Sequence, residues 1–531
     1  MKRRQFIKTS AIATGGTTAF VAGSQTANSS SKSTENSDKH YITPQMFGAV
    51  GDGATDDYPA FDRFISTCLS KNVSGYVPSG LYLIGTTIER TDLTNDLHLI
   101  LDDNAELLAN TGDSPLFLLK GNPRSSVRVT FEGGTIDTSR TTHVGGTSSG
   151  SGISLYRIWC SYFRNIILTT KATTYDGSAG DTGIGAINCH YISIDGCCFQ
   201  GMPDAGIYWT GSGDRTTSDD DGGDCVVVNS FFTYCGSAII HKRQIPRVTL
   251  SNNHIFRCKF GIVTAGAGNN PIPGRQLTIT HNIIRKIELR AIEIRWGENY
   301  HISDNKIIDF GYDINNKKAN STIAGIYIRG SKWVRGSNNI IVLDEWDGTP
   351  NHAGIITNNY TIDSTTKRSR NIRLSHTVIR GTSNGNIDRG IFTVNGTVDC
   401  SFTETEFENV TTKQKIKGGK IITTYYASDG SLVYELNGTE YYRIRGNQRG
   451  TIGSNESPHI SSATTGYIHL ANGQHQISTN TVGVHINRIG SDGTIAQWYR
   501  DGSSVGDISV ASGTISYNGG HLTRCAKSDG T

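Results

Sequence analysis

The side chains best suited to chemistry follow one recurring step, a small residue and then isoleucine. Ala291-Ile292 leads to Glu293 and Arg295, Gly325-Ile326 to Tyr327 and Arg329, Ala238-Ile239 to Lys242, and Gly206-Ile207 to Tyr208. If each isoleucine points inward from an extended strand, the residues one and three positions later point outward. Stacking such segments places Glu293 beside Tyr327 and Arg295 beside Arg329, about 5 Å apart, with Lys242 about 10 Å from Arg295. A carboxylate, a phenol and a line of cations suit an acidic sugar chain. In that reading Arg295, Arg329, Lys242 and Arg243 bind carboxylates, Tyr208, Trp296 and Tyr327 stack on sugar faces, and Glu293 acts as acid or base. The plainer reading is a solvated sheet face with an ordinary ion pair such as Glu293–Arg295. His241 falls in an inward column and reads as a hydrogen-bonded core histidine.

A long loop from Gly211 to Asp224 adds Asp214, Asp219, Asp220, Asp221 and Asp224. It would rim a groove and supply the second carboxylate that glycoside hydrolysis needs, roughly 5–10 Å from the first. Calcium is a minor alternative for this loop, whose spacing does not match an EF-hand; no other metal or cofactor is expected. Two reactions stay open. Hydrolysis would pair Glu293, as a raised-pKa acid, with Asp220 or Asp221. β-Elimination would use Tyr327 or Lys242 as base and Arg295 to neutralise a uronate carboxylate.

The elements that must position these residues are legible as a repeat. The small-residue–Ile step occurs at Gly152, Gly183, Gly206, Ala238, Gly261, Ala291, Gly325, Gly354 and Gly390. Between most steps lies a second short strand with asparagine in its bend, as in Val248-Thr-Leu-Ser-Asn-Asn-His-Ile255. A period within 20–50 residues, several short strands per turn and no helices between them predict a parallel β-helix, an all-β solenoid. Ahead of it, Phe61, Phe64, Ile65, Cys68 and Leu69 make one apolar stripe, predicting an amphipathic helix that ends near Lys71-Asn72 and caps the solenoid.

Composition agrees with this class. Gly is 62 of 531 residues and charged residues are 18%, a turn-dense mix poor in charge. Lys+Arg 50 against Asp+Glu 47 leaves +3, no overall basic field for nucleic acid. No run approaches the roughly 20 apolar residues of a membrane span. The 10 cysteines contain no C-x-x-C pair and are expected to be mostly buried free thiols.

At the N-terminus, Arg3-Arg4, a weak apolar stretch and small residues resemble a twin-arginine export signal, followed by a polar linker to His40 that cannot order itself. Residues 1–40 therefore stand apart from a β-helix over 41–415 and a separate β-rich region over 416–531. In that last region Asp429-Gly430, Asn437-Gly438, Asn472-Gly473, Asp492-Gly493 and Asp501-Gly502 predict hairpin turns. The closing Asp529-Gly-Thr531 is a turn that suggests a further segment beyond it.

Phe47-Gly-Ala-Val-Gly-Asp-Gly-Ala-Thr-Asp-Asp57, the helix, and Val77-Pro-Ser-Gly-Leu-Tyr-Leu-Ile84 resemble the opening of the pectate-lyase-like right-handed β-helix superfamily. The variant Ile42-Thr-Pro-Gln-Met-Phe-Gly-Ala49 is most similar to phage tailspikes that depolymerise capsule or O-antigen. Thr494 to Val510 and Gly519 to Arg524 resemble tail-fibre segments that help trimerisation. The resemblance implies a homotrimer on a virion tail, or otherwise extracellular, that cleaves a bacterial surface polysaccharide, with a twin-arginine-exported bacterial lyase or hydrolase and a non-cutting receptor-binding fibre as rivals. Neither the motif set of polygalacturonases nor a convincing calcium-and-arginine set of pectate lyases is present, and the fold alone settles no reaction.

Overall fold

The computed structural model describes residues 41–519 apart from internal stretches, chiefly 142–151, 174–180, 212–221, 243–244, 266–273, 312–321, 346–351, 453–465 and 479–491. The twin-arginine segment, Asp214, Asp219, Asp220, Asp221 and Arg243 lie outside the described residues.

Successive coils build a right-handed parallel β-helix. Each contributes one strand to a twelve-stranded parallel sheet and two shorter strands to a larger sheet that wraps the rest of the coil. The twelve-stranded sheet carries the residues of interest. In chain order its strands are β1 (Ile88–Leu93), β2 (Phe117–Gly121), β3 (Ile153–Tyr156), β4 (Thr182–Ile187), β5 (Ala205–Thr210) and β6 (Ser237–Lys242). They continue as β7 (Phe260–Ala265), β8 (Arg290–Arg295), β9 (Ile323–Arg329), β10 (His352–Asn358), β11 (Ile387–Thr393) and β12 (Val410–Ile416).

The repeat sets the register. Ile153, Ile184, Ile207, Ile239, Ile262, Ile292, Ile326, Ile355 and Ile391 face one another strand by strand, and all are fully buried. Each buried isoleucine contributes about 1.5–3 kcal/mol relative to exposure. The small residue before it is a close-approach position: a Cβ on Gly261 would lie 2.2 Å from the Ala291 carbonyl oxygen.

A second column runs through one bend of the larger sheet. Asn253, Asn282, Asn305 and Asn339 are buried, and the amide Nδ2 of each of the first three donates to Oδ1 of the next at 3.0, 3.0 and 3.1 Å. Each of the four also donates to a main-chain carbonyl, those of Val227, Leu250, Ile279 and Ile302. The ladder satisfies polar groups that the bend would otherwise bury unpaired.

Helix α1 (Tyr58–Lys71) closes the N-terminal end, burying Phe61, Phe64, Ile65, Cys68 and Leu69, with Phe61 packed edge-on against Tyr82 at 5.3 Å. It stops at Asn72, whose left-handed φ of 51° ends the helix. Asp57 makes no side-chain cap; its carboxylate accepts the Val50 and Gly51 amides at 2.6 and 3.0 Å and pins the preceding turn.

Past Cys400–Glu408, which pairs in parallel with Ile421–Tyr426, the pairing turns antiparallel. Strands flanking Asp429-Gly430, Asn437-Gly438, Asn472-Gly473 and Asp501-Gly502 pair as hairpins. The strand that would precede a turn at Asp492-Gly493 lies outside the described residues. Gly493 opens a strand there, and the Asp492 carboxylate accepts the Ser512 amide at 2.8 Å from the neighbouring hairpin.

Of the cysteines, nine are free thiols in the described residues; Cys197 is buried while its neighbour Cys198 is half-buried, because adjacent strand positions face opposite ways. Among the described residues no helix is long and apolar enough to cross a membrane.

Candidate functional site

The face of the twelve-stranded sheet opposite the isoleucine ladder carries two rows that run across the strands. One row contains Tyr208, Ile240, Val263, Glu293, Tyr327, Ile356 and Phe392, each opposite the next. The other passes from Tyr156 through Ile187 and Thr210 to Lys242, and farther along sets Arg295 opposite Arg329 and Arg329 opposite Asn358. Thus Glu293 and Tyr327 are neighbours, as are Arg295 and Arg329.

Glu293 lies at the centre of an arginine cluster. Arg295 Nε and an Arg295 terminal nitrogen donate to its two oxygens at 2.7 and 2.9 Å, and Arg290 donates at 2.8 Å. Arg329 approaches to 3.8 Å. Although on the outer face, the carboxylate is fully buried beneath these guanidiniums. Burial alone would raise its pKa, but the hydrogen bonds and charges of Arg295 and Arg290 outweigh that and hold the carboxyl below its usual range. The acid role expected of Glu293 needs a raised pKa and finds the reverse.

Tyr327 sits between two cations, with Arg290 5.1 Å and Arg329 5.3 Å from its ring centroid, and its hydroxyl accepts from Asn358 Nδ2 at 3.1 Å. It is buried, so neither the base role nor the sugar-stacking role expected of it has an open surface. Trp296 is likewise buried in a left-handed bend at φ 51°, with the Lys367 ammonium 5.1 Å from its ring. The expected stacking surface is covered.

A hairpin, Tyr360–Ile362 with Thr365–Lys367, supplies both covering groups: Tyr360 lies 5.1 Å from the Arg329 guanidinium and Lys367 over Trp296. Arg329 Nε has no hydrogen-bond partner among the described residues. Three arginines against one glutamate leave an excess positive charge here.

A smaller cluster lies nearer the N-terminal end of the same face. Lys242 Nζ donates to the Tyr208 hydroxyl at 2.7 Å and sits 4.6 Å from that ring, occupying part of the surface expected to meet a sugar. Asp204, just before β5, completes it: burial raises its carboxyl above the ordinary value, with the charge of Lys242 pulling the other way. Sequence reasoning missed Asp204 and Arg290. Both precede the isoleucine by more than one position, outside the column that alternation traces.

His241 is a core residue, as its inward position predicts. Its Nε2 is 2.8 Å from the Ile245 carbonyl, and burial depresses its pKa to about 4. Asp224, the one described carboxylate of the long loop, is tied to Arg247 by two hydrogen bonds of 2.6 and 2.7 Å. Among the described residues no group of three or more His, Cys, Asp or Glu is placed to hold a metal ion.

The same fold occurs in the A-module of Azotobacter vinelandii mannuronan C-5 epimerase AlgE6, at 14% identity and a TM-score of 0.50, covering 73% of this chain and 100% of that one. It occurs also in the pre-mature gene product 12 of bacteriophage phi29, at 18% identity and a TM-score of 0.52, covering 81% of this chain and 60% of that one. No curated protein matches the sequence. The family model for rhamnogalacturonase A/epimerase, pectate lyase-like proteins matches residues 45–328, more than half of the chain, and that stretch contains the helical cap, the coils through most of β9 and the residues of both clusters up to Tyr327. The chain belongs to the rhamnogalacturonase A/epimerase, pectate lyase-like family.

Proposed function

We propose that this protein is a phage-type tailspike that binds and depolymerises an anionic bacterial surface polysaccharide, capsule or O-antigen, along the outer face of the twelve-stranded sheet. The observation that carries the reading is the convergence of Arg290, Arg295 and Arg329 on the single buried Glu293, two strands from the Lys242–Tyr208 pair. A polyanion laid across the strands meets the surplus guanidinium charge at one end and a proton-transfer pair at the other. Membership of a family named for rhamnogalacturonase and epimerase, and the fold shared with a phage gene product, support a glycan ligand and a virion setting. A homotrimer accords with the same reading.

Among the possible reactions we favour β-elimination, because Glu293, the acid expected for hydrolysis, is held charged by arginine; Asp181, buried opposite Asp204 on the neighbouring strand, is the carboxylate that a hydrolysis would use instead. Hydrolysis needs two carboxyl groups roughly 5–10 Å apart. Asp204, which has the raised pKa of an acid, lies three strand spacings from Glu293, about 14 Å, and Glu293 is engaged by arginine. In elimination the Lys242–Tyr208 pair takes the proton from the carbon next to a uronate carboxylate and returns one to the departing glycosidic oxygen. The C–H electron pair becomes the new C=C bond, the C–O pair leaves with the oxygen, and no water is consumed. Arg295, two strand spacings from Lys242 and the nearer guanidinium, neutralises that carboxylate, while Arg329, one strand farther, binds the carboxylate of a neighbouring sugar.

Digestion of purified bacterial capsular polysaccharides and O-antigens tests this. New reducing ends that appear together with the ultraviolet absorbance of a conjugated double bond are expected; reducing ends without that absorbance overturn the elimination, and no cleavage of any polymer overturns the depolymerase.

A further inference from the structure

The bend after the twelve-stranded sheet carries an aromatic surface that the two clusters do not use. Ser161 pairs with Ile192 in the strands that follow this bend, which sets Trp159 against His190 and Cys160 against Tyr191. In the next coils His190 bridges to Gly223, and Asp224 and Arg247 continue the column of Tyr191. The indole of Trp159 lies 4.9 Å from the His190 ring and 5.4 Å from that of Tyr191, the latter at 60°.

Neither core packing nor the bend accounts for these side chains. Trp159 is 42% and Tyr191 44% exposed. Tyr191 occupies a bend position that is left-handed in coil after coil (φ 45° here, 56° at Asp224, 55° at Arg247), and the next two coils fill that position with polar residues where this one carries an exposed ring. Two adjacent exposed aromatic rings, packed on each other and on His190 where the next coils are polar, mark a surface kept for a ligand.

The neighbours indicate which ligand. Asp224 and Arg247 form a two-bonded pair with no net charge, unlike the arginine cluster, and offer both acceptors and donors. Tyr156, which ends β3 three residues before Trp159, stands in the same outward row as Lys242, with the Arg157 guanidinium 5.0 Å from its ring. The aromatic surface therefore continues the edge of the proposed groove toward its N-terminal end.

We propose that Trp159 and Tyr191 form a separate glycan-binding subsite for uncharged pyranoses of the same polysaccharide, the C–H face of one against the aromatic rings and the hydroxyls of the next sugar along the chain on Asp224 and Arg247. The inference rests on the polysaccharide reading above.

The test is affinity electrophoresis of the full chain through gels containing each of a panel of purified bacterial capsular polysaccharides and O-antigens. Wild type is compared with Trp159→Ala, Trp159→Phe and Arg295→Ala, with light scattering for mass. In the polymer that retards the wild type, Trp159→Ala is expected to bind about tenfold more weakly, with Trp159→Phe recovering most of the loss. Retardation of Trp159→Ala equal to wild type, while Arg295→Ala is released, overturns the subsite and leaves the groove standing. Release of Trp159→Ala alone supports the subsite and counts against the groove. A wild type retarded by no polymer overturns both. A fall in mass for Trp159→Ala overturns the subsite in favour of a contact between copies of the chain.

Discussion

Lys242 and Tyr208, on neighbouring strands of one coil and the next, share a 2.7 Å hydrogen bond on the outer face of the sheet, with the ammonium also 4.6 Å from the phenol ring centroid. Because the lysine occupies one lone pair of the phenol oxygen, the phenol's own O–H remains to donate elsewhere. Lys242→Met and Tyr208→Phe are each expected to lower the cleavage rate about 100-fold or more, the usual scale of general acid–base catalysis. Initial rates of double-bond formation on a cleaved capsule check this, and near-wild-type rates in both variants would remove the pair from the mechanism.

Glu293 is expected to matter first for stability. Glu293→Gln keeps the shape but leaves three guanidiniums without their counter-charge, and breaking a buried ion pair by removing one partner costs about 3 kcal/mol or more. A clear fall in Tm by calorimetry is the expected result. The pH dependence has a definite sign. The folded carboxyl is depressed, so its contribution is present above the ordinary value of 4.5 and is lost as pH falls below 4.5 through the depressed pKa. The Gln variant lacks that loss.

His241 gives a second pH signature in a different window. The buried imidazole has a pKa of about 4, against 6.5 when free, so the unfolded chain binds more protons between those values. Stability is therefore expected to decline as pH falls from 6.5 to about 4. Denaturant midpoints measured across that range should slope less in His241→Gln; equal slopes would mean that the imidazole is not buried neutral.

The asparagine ladder has a structural cost that can be read directly. Asn282 donates to Leu250, Thr280 and Asn305 and accepts from Asn253, so Asn282→Ala strands several buried polar groups at once. With about 1–3 kcal/mol for each group left unsatisfied, a loss of about 3 kcal/mol or more is expected. Chemical denaturation of the variant measures it, and Asn252→Ala, one position before Asn253 in the preceding coil and an exposed left-handed bend residue, serves as a nearby control.

What the sequence determined by itself is the coil. A parallel sheet pairs like with like at a fixed spacing, so the Gly/Ala–Ile step had to fall into register, and strand alternation then decided which of Glu293, Tyr327, Arg295 and Arg329 share a face. The apolar stripe of the capping helix was legible for the same reason, a fixed period that needs no knowledge of distant residues. Periodicity says which way a side chain leaves the backbone but not what lies over it. Only the tertiary structure decided that Arg290 folds onto Glu293, that the Tyr360–Lys367 hairpin covers Arg329 and Trp296, and that Asp204 comes under the charge of Lys242. Long flexible side chains and the turns that bring them together have no period, so whether Glu293 is a free acid or a buried anchor is settled by packing and charge in three dimensions.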